Sequence, residues 1–409
     1  MPRSFVVAGN RNVLIAGLAS TIAGIAYGLA FASPFPLPGK VLYLIAASTA
    51  LFFAWRIIEN PRREVPPTTL VLSVWLLAII GSVTLARGYS TDWRGTVQLF
   101  ALEAPQYFFP LFGLVGFHYV LLNQYLRISM RVMAVGALAV TIISVASGGM
   151  QGWNRWLGES VFYLLGFYVI LLPYLKLRFQ CHTFVAIAAY VVNFGLATLR
   201  SYLGLLVFFV CCSLFHLVFV SKQPTSRRLV FSVNSFLIIL ACIIVVISVQ
   251  SDVVYHAIGR ITNNVHNKLL VDSRTDVVHY MLDGFTTKDW IVGRGAYGTY
   301  RTDNKTLGFN RGTIEIGYLS LLLKGGLVLL VPYVLVACGA CFRGLRGLNV
   351  VSYAFGCVVV GRLLEMMVFG LPTVSATYLV FWLAVGACYN RELTSMTDSQ
   401  ALRTLLSDT

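Results

Sequence analysis

Residues 68–86, TTLVLSVWLLAIIGSVTLA, decide the fold, because none of these side chains carries a charge. A helix needs roughly 20 apolar residues to cross the hydrocarbon core of a bilayer, since each residue advances it by about 1.5 Å. The run is continuous and does not alternate between apolar and polar residues, as a strand of a membrane barrel would. This stretch therefore predicts a membrane-spanning helix.

Similar apolar runs recur along the 409 residues, of which 57% are hydrophobic and only 11% charged. An ordinary soluble domain has about 25% charged residues. Backbone groups in lipid must be satisfied within their own segment, so helices are the expected structure. We therefore expect an all-α integral membrane protein with about twelve transmembrane helices. The predicted spans are residues 13–33, 41–58, 68–86, 96–122, 128–147, 154–175, 183–199, 202–221, 228–250, 313–342, 350–371 and 375–390.

The net charge of +15 is compatible with a nucleic-acid partner, but the positions of the basic residues give another explanation. If the N-terminus is cytoplasmic, 16 Lys and Arg residues fall in inner segments and only 5 in the short outer loops. This asymmetry follows the positive-inside rule. It predicts cytoplasmic N- and C-termini and requires no nucleic acid.

The predicted spans divide the chain into four parts. Residues 1–250 hold transmembrane helices 1–9, residues 251–312 form a large outer loop, residues 313–390 hold helices 10–12, and residues 391–409 form a cytoplasmic tail. A loop of this length is uncommon unless it is functional or disordered. Its segment VVHYML, residues 277–282, predicts a short helix that lies on the membrane.

Two motifs are typical of other kinds of site, and both interpretations are excluded. The 8 cysteines all lie outside the large loop, so no disulfide is expected, and the spacing of Cys338 and Cys341 lacks the second pair of a metal site. Gly293, Gly295 and Gly298 have the spacing of a dinucleotide-binding loop. No strand precedes these glycines, which excludes that interpretation.

Charged residues within the predicted spans gather toward the outer side of the membrane. Each such residue costs about 3 kcal/mol near the bilayer centre, so it is a paired structural group or a functional candidate. Two pairs are spaced for contact on one helix face, and a polar cavity open to the outer side would explain the whole set. Arginines there suit a lipid diphosphate, whose oxygens bind a guanidinium two at a time. The residues within spans are Glu103, Arg155, Glu159, Glu315, Lys324, Arg362 and Glu365. Arg200 joins them from the outer hinge between the spans 183–199 and 202–221, and Arg131, near the inner end of the span 128–147, is the exception.

Four stretches in the second half of the chain resemble the O-antigen polymerase and ligase superfamily. They are Thr-Leu-Arg-Ser at 198–201, Ser-Arg at 273–274, WIVGRG at 290–295 and EIGYLSLLLKGG at 315–326. The resemblance implies an all-helical, GT-C-like glycosyltransferase of the bacterial inner membrane. Such enzymes act on undecaprenyl-diphosphate sugars at the periplasmic face. The resemblance also implies that Arg200 and Arg274 face the donor diphosphate.

The chain departs from the family pattern at two places. Leucine precedes Arg200 where the family has serine, whereas Ser273 before Arg274 matches. Ligases of the family usually carry a histidine just before the helix that follows the loop, and residues 307–318 contain none. This absence favours a Wzy-type polymerase of oligosaccharide repeat units, with an O-antigen ligase as the alternative. A lipid or solute transporter is the rival from another class, and a scaffold or receptor is a third possibility.

The implied reaction is attack of an acceptor hydroxyl on the anomeric carbon of the donor, with departure of undecaprenyl diphosphate. Electrostatic stabilisation of the departing group by arginines is the main contribution, and we expect no metal or cofactor. The candidate bases are Glu315, Asp276 and His279. Expected partners are the lipid-linked donor and acceptor, membrane lipid and a protein that regulates chain length. The predicted diphosphate- and substrate-binding residues are Arg200, Arg274, Arg155, Arg294, Lys324 and Arg362.

Overall fold

The computed structural model describes most, but not all, of the chain. The described residues are 3–32, 36–59, 65–88, 104–146, 164–196, 200–220, 273–301, 310–312, 314, 316–367 and 375–406. The predicted span at 228–250 lies outside them, as do the candidate site residues Arg155 and Glu315. For Arg200, Arg274 and Asp276 only the backbone is described.

Helices form nearly all of the described structure. Three 3₁₀ turns and one π-helical turn lie between the helices or extend them. The 3₁₀ turns are Phe109–Leu111, Tyr119–Leu121 and Leu172–Tyr174, and the π-helical turn is His216–Val220. Two short strands, β1 (Tyr300–Arg301) and β2 (Asn310–Arg311), pair antiparallel. The helices are α1 (Arg3–Ala32), α2 (Pro36–Ile58), α3 (Thr68–Arg87), α4 (Ala104–Phe108), α5 (Phe112–Phe117), α6 (Leu122–Ala146), α7 (Leu165–Leu171), α8 (Leu177–Leu196), α9 (Arg200–Phe215), α10 (Ser273–Asp283), α11 (Thr287–Val292), α12 (Gly317–Leu345), α13 (Val350–Glu365), α14 (Ala376–Tyr389), α15 (Arg391–Ser395) and α16 (Asp398–Leu406).

Four helices within the described residues are long and apolar enough to cross a membrane. They are Pro38–Ile58, Thr68–Arg87, Tyr119–Ile143 and Gly317–Leu345. Shorter apolar helices accompany them at Arg11–Ala23, Leu165–Tyr174, Gly204–Phe219 and Ala376–Tyr389. The expectation of an all-α membrane protein is therefore confirmed, whereas the number of twelve spans stays a prediction.

The described part of the predicted span at 96–122 is not one continuous helix. From Ala104 onward it is divided into α4, α5 and two 3₁₀ turns. Pro110 contributes to the division, because proline supplies no backbone donor and clashes with the preceding helical turn. Gly116 in α5 lies against the Leu383 backbone of α14, and Gly386 in α14 lies against the Gly113 backbone of α5, so any larger side chain at either position would overlap the partner helix. Such small-residue contacts let two helices approach closely in lipid.

α12 consists of two arms that meet at Gly326, whose φ of 65° and ψ of −166° are not helical. In a straight helix Tyr318 and Cys338 would be about 30 Å apart. The Tyr318 hydroxyl instead donates to the Leu363 carbonyl of α13 at 2.7 Å. Because α13 runs antiparallel to the long arm with Gly356 against Gly344, Leu363 lies near the level of Cys338. The short arm, residues 317–325, therefore folds back along the long arm, residues 327–345. The long arm is about 28 Å long and can cross the hydrocarbon core alone. The span predicted at 313–342 is therefore present as the candidate span Gly317–Leu345, and it is interrupted at Gly326.

The bundle has two distinct ends, which we name by what packs there. At the loop end lie α10, α11, the end of α3 and the turn of α12 at Gly326. At the tail end α15 and α16 fold against the bundle. The amide of Asn349 donates to the Leu393 carbonyl at 2.6 Å, Asn123 donates to the Thr404 carbonyl at 2.9 Å, and Asp398 accepts from the Val350 N–H at 2.7 Å. The predicted tail is therefore a docked helical segment through residue 406.

We predict that Gly386→Ala lowers the free energy of unfolding by about 1–3 kcal/mol, because the added Cβ would overlap the Gly113 carbonyl and overpacking of this kind has that cost. The matched control is Gly204→Ala in α9, where nothing lies within 4 Å of the added carbon. Thermal unfolding of both variants in lipid nanodiscs measures the difference. Equal midpoints for the two variants would contradict the close helix crossing.

Candidate functional site

Residues 286–298, which we call the strap, dock on the turn of α12. The break at Gly326 removes the normal helical donors of the Leu323 and Lys324 carbonyls. The strap replaces them, because the Arg294 N–H donates to the Leu323 carbonyl at 2.7 Å and the Gly295 N–H donates to the Lys324 carbonyl at 2.9 Å. Irregular backbone is tolerated near lipid only when protein satisfies its polar groups. The strap therefore completes the broken helix.

The strap also binds the end of α3. The Ala296 N–H donates to the Thr84 carbonyl at 3.0 Å, which is one of the acceptors that a helix C-terminus leaves without a partner. In return, the guanidinium of Arg87 donates to the carbonyls of Val292 and Gly293, the latter at 2.7 Å. The strap thus joins two apolar helices through backbone groups.

Two glycines with positive φ meet where the strap touches α12. Gly293 and Gly326 both have φ of 65°, a conformation that residues with a side chain rarely adopt. A Cβ on Gly293 would lie 2.5 Å from the Lys324 carbonyl carbon, and one on Gly326 would overlap the Ile291 carbonyl. Glycine is therefore required at both positions by conformation and by space.

Lys324 and Arg294, predicted to bind diphosphate, both bind loop carbonyls in this structure. Lys324 is 8% exposed, and its ammonium donates to Ala296 at 2.5 Å and to Gly298 at 3.4 Å. Arg294 donates to the carbonyls of Thr299 and Gly284 and pairs with Asp289 at 3.2 Å. These contacts give both cations a structural role in holding the loop, and their role toward a diphosphate stays a prediction.

The helix that carries Arg274, Asp276 and His279 is α10, and it is fixed to the short arm. Met281 is fully buried in a small apolar cluster, separate from the main core, whose other buried members are Tyr300, Ile314, Leu322 and Leu323. The first turn of α10 contains Arg274 and Asp276, and the His279 side chain is exposed. The predicted helix at 277–282 is confirmed, with bounds Ser273–Asp283.

The ion pair predicted from the spacing of Arg362 and Glu365 is present at the end of α13, and both side chains are largely buried. It lies beside the start of the short arm, because the Gly317 N–H donates to the Met366 carbonyl at 2.8 Å. Lys324 lies near the other end of that arm, about 10 Å farther along it. The expectation that the embedded charges share one depth in the membrane stays a prediction.

A narrow hollow with room for about one water molecule lies between α3, α4, α12 and α14. It is mainly apolar, and its polar groups are Gln106 and the tyrosines 107, 333 and 378. The lining residues are Leu77, Gln106, Tyr107, Pro110, Leu321, Leu329, Tyr333 and Tyr378.

The backbone of Arg200 lies toward the loop end of the bundle. The ring of Phe209 lies against Gly361 in α13, and α9 runs antiparallel to α13, since its far end places His216 4.7 Å from Tyr353 between ring centroids. Arg200 is nine residues before Phe209, or about 14 Å nearer the loop end. The shared site of Arg200 and Arg274 stays a prediction.

Arg87 is the site residue that the sequence did not point to, since it follows the apolar run at 68–86 as an ordinary flanking cation. The neighbouring Gly88, which leaves room for Ala296, was the available signal. Comparison of the chain with protein-family models, characterised proteins and solved structures gives no match. A functional proposal for this site therefore rests on its residues and their arrangement.

We predict that Gly326→Ala releases the strap, because alanine is strained at this φ and its Cβ would overlap the Ile291 carbonyl. Faster proteolysis within residues 286–298, in nanodiscs and under native conditions, measures the release. The matched control is Gly312→Ala, because its added carbon would meet no atom closer than 3.7 Å. Equal proteolysis rates for the two variants would rule out a tight turn at Gly326.

We predict that acid weakens the strap through Asp289, which forms a capping box with Thr286 at the start of α11. Burial raises the pKa of Asp289, but hydrogen bonds from Thr286 and Arg294 outweigh it and hold the pKa below its ordinary 3.8. A carboxylate with a lowered pKa stabilises the fold above its unfolded-state pKa, and this stabilisation is lost as pH falls through the folded-state pKa. Proteolysis of the strap should therefore differ between the natural protein and Asp289→Asn at neutral pH, and the difference should shrink as pH falls below about 4. An unchanged difference at pH 3 would contradict this role.

Proposed function

We propose that the chain is a polymerase that joins undecaprenyl-diphosphate-linked oligosaccharide repeat units into a surface polysaccharide such as O-antigen. The proposal includes a GT-C-like fold with about twelve spans, a position in the bacterial inner membrane, and a site on the periplasmic side. The loop end of the bundle is then the periplasmic end. No metal or cofactor takes part in the proposed reaction.

One observation carries the proposal. The stretches 290–295 and 315–326, which resemble motifs of the superfamily, are about 20 residues apart in sequence and form one unit in space through the contact of Gly293 with Lys324 and Gly326. The helix with the third stretch, Ser273 and Arg274, is attached to the same unit by Met281. Three stretches that suggest one function thus belong to one structural unit at one end of the bundle.

The arrangement suits a substrate that has both an apolar chain and an anionic head. A polyprenyl tail requires lipid, and its diphosphate requires cations at the membrane surface. α10, whose first turn contains Arg274, packs against the short arm through Met281, and the backbone of Arg200 lies toward the same end. Arg362, paired with Glu365, lies beside the start of the short arm.

The proposed step forms a bond between an acceptor hydroxyl oxygen and the anomeric carbon of the donor. The bond between that carbon and the diphosphate oxygen breaks, and the electron pair leaves with undecaprenyl diphosphate. Arg200 and Arg274 would stabilise the charge that grows on the diphosphate, which is usually the largest catalytic contribution. The hydroxyl proton would pass to Glu315, Asp276 or His279. Of these three residues, His279 is the one whose side chain the structure describes, and that side chain is exposed.

A lipid or solute transporter is the second candidate, and the broken helix α12 favours it. Carriers often build their sites from discontinuous helices. In α12, however, the break lies at the loop end, and the strap satisfies its freed carbonyls. An O-antigen ligase remains the alternative within the enzyme class, since the same donor chemistry serves a different acceptor.

The deciding experiment incubates the purified protein in nanodiscs with a lipid-linked repeat unit as the sole sugar substrate. A polymerase produces a ladder of longer lipid-linked chains without any ion gradient. A transporter leaves the substrate unchanged, and a ligase extends only when lipid A-core is added. Absence of longer chains from a folded, lipid-embedded protein would overturn the proposal.

We predict that Arg274→Ala lowers the rate of chain formation by about 100-fold or more, since loss of one group that stabilises transition-state charge typically has this effect. The matched control is Arg301→Ala, an exposed arginine of the same loop in β1. It should retain the rate of the natural protein. Equal rates for both variants, at equal protein levels in the membrane, would remove Arg274 from the site.

A further inference from the structure

The helix α11 exposes the apolar side chains of Trp290 and Ile291. Trp290 is 38% exposed and Ile291 is 51% exposed, so the rest of the described protein leaves both partly uncovered. We propose that this edge of α11 lies in the lipid bilayer at the loop end, at the boundary between headgroups and acyl chains. The proposal does not rest on the polymerase function, since it concerns how the strap is held at the membrane.

The exposed edge continues the lipid-facing surface of α12. The Ile291 carbonyl lies against Gly326, and the next two residues of the long arm, Leu327 and Val328, are also exposed. The long arm belongs to a helix that is apolar enough to cross a membrane. Ile291 is therefore close enough to contact the same lipid that would cover Leu327 and Val328 at the end of this span.

The same edge continues the surface of α3 on its other side. α3 is a second helix that can cross a membrane, and its exposed Val83 lies one turn before Arg87. The guanidinium of Arg87 donates to the carbonyls of Val292 and Gly293 at the end of α11. α11 therefore lies where two spans end, and this is the depth of the bilayer surface.

The chemistry of α11 fits the boundary better than either water or the hydrocarbon core. Tryptophan is enriched at this depth, because its ring is apolar and its N–H can reach polar groups. Lys288 and Arg87 are exposed beside it and suit the phosphates of lipid headgroups. The first turn of α11 is capped, because the Thr286 N–H donates to Asp289 at 3.0 Å and the Thr286 hydroxyl accepts from the Asp289 N–H at 3.3 Å. Few backbone groups of this helix then need water.

The test measures water access at single cysteines introduced into a variant that lacks the natural cysteines. A membrane-impermeant maleimide is added to proteoliposomes at the accessible loop end. Ile291→Cys should react at least about tenfold more slowly than Arg301→Cys, because a thiol outside water has a raised pKa and little reactive thiolate. Val328→Cys, on the long arm, serves as the lipid-facing reference and should be as slow. Reaction of the Ile291 variant as fast as the Arg301 variant would overturn the proposal.

A second measurement avoids the cysteine replacements. Tryptophan fluorescence of the natural protein and of Trp290→Phe is compared in vesicles of ordinary phospholipid and in vesicles of phospholipid brominated near the headgroup end of the chains. The difference in fluorescence between the natural protein and Trp290→Phe is the contribution of Trp290. This contribution should be quenched by the brominated lipid and protected from iodide in water. Quenching of that contribution by iodide, with no effect of the brominated lipid, would show that α11 lies in solution and would contradict the proposal.

Discussion

The structure depends on how hydrogen bonds are satisfied where α12 breaks. A turn at Gly326 frees the carbonyls of Leu323 and Lys324, and a buried carbonyl without a donor costs about 1–3 kcal/mol. The N–H groups of Arg294 and Gly295 supply both donors, so the break and the strap stabilise each other. Neither conformation would be favourable alone near lipid. This mutual requirement explains why α10 and α11 are held against the membrane helices.

The same constraint accounts for the charges and glycines gathered at the loop end. Lys324 and Arg87 donate to strap carbonyls from the two helices that the strap joins. Gly293 and Gly326 permit the backbones to approach at φ angles that other residues avoid. Cations at this end therefore support a backbone scaffold, and the proposed diphosphate site would be built on that scaffold by Arg200 and Arg274. Such support fixes a binding group in position before the substrate arrives.

The sequence predicted the features that depend on residues close together along the chain. The span at 68–86 is α3, and the pair of Arg362 and Glu365 forms because positions three apart lie on one helix face. The fold-back of α12 was not predicted, because Gly325 and Gly326 lie in an apolar run and their partner, the strap, is distant in sequence. The contact of Arg87 with Val292 spans 205 residues, and no local pattern could indicate it.

The folded-back short arm is the central claim, and one cross-link tests it most directly. Tyr318→Cys is combined with the natural Cys338 in a variant without the other cysteines, and the protein in lipid is treated with a short bismaleimide. In the folded-back arrangement Tyr318 contacts Leu363, which lies near the level of Cys338 on the long arm, so we expect a cross-link within one chain. A straight α12 would separate the two residues by about 30 Å. Single labelling at each thiol, with no cross-link, would contradict the account.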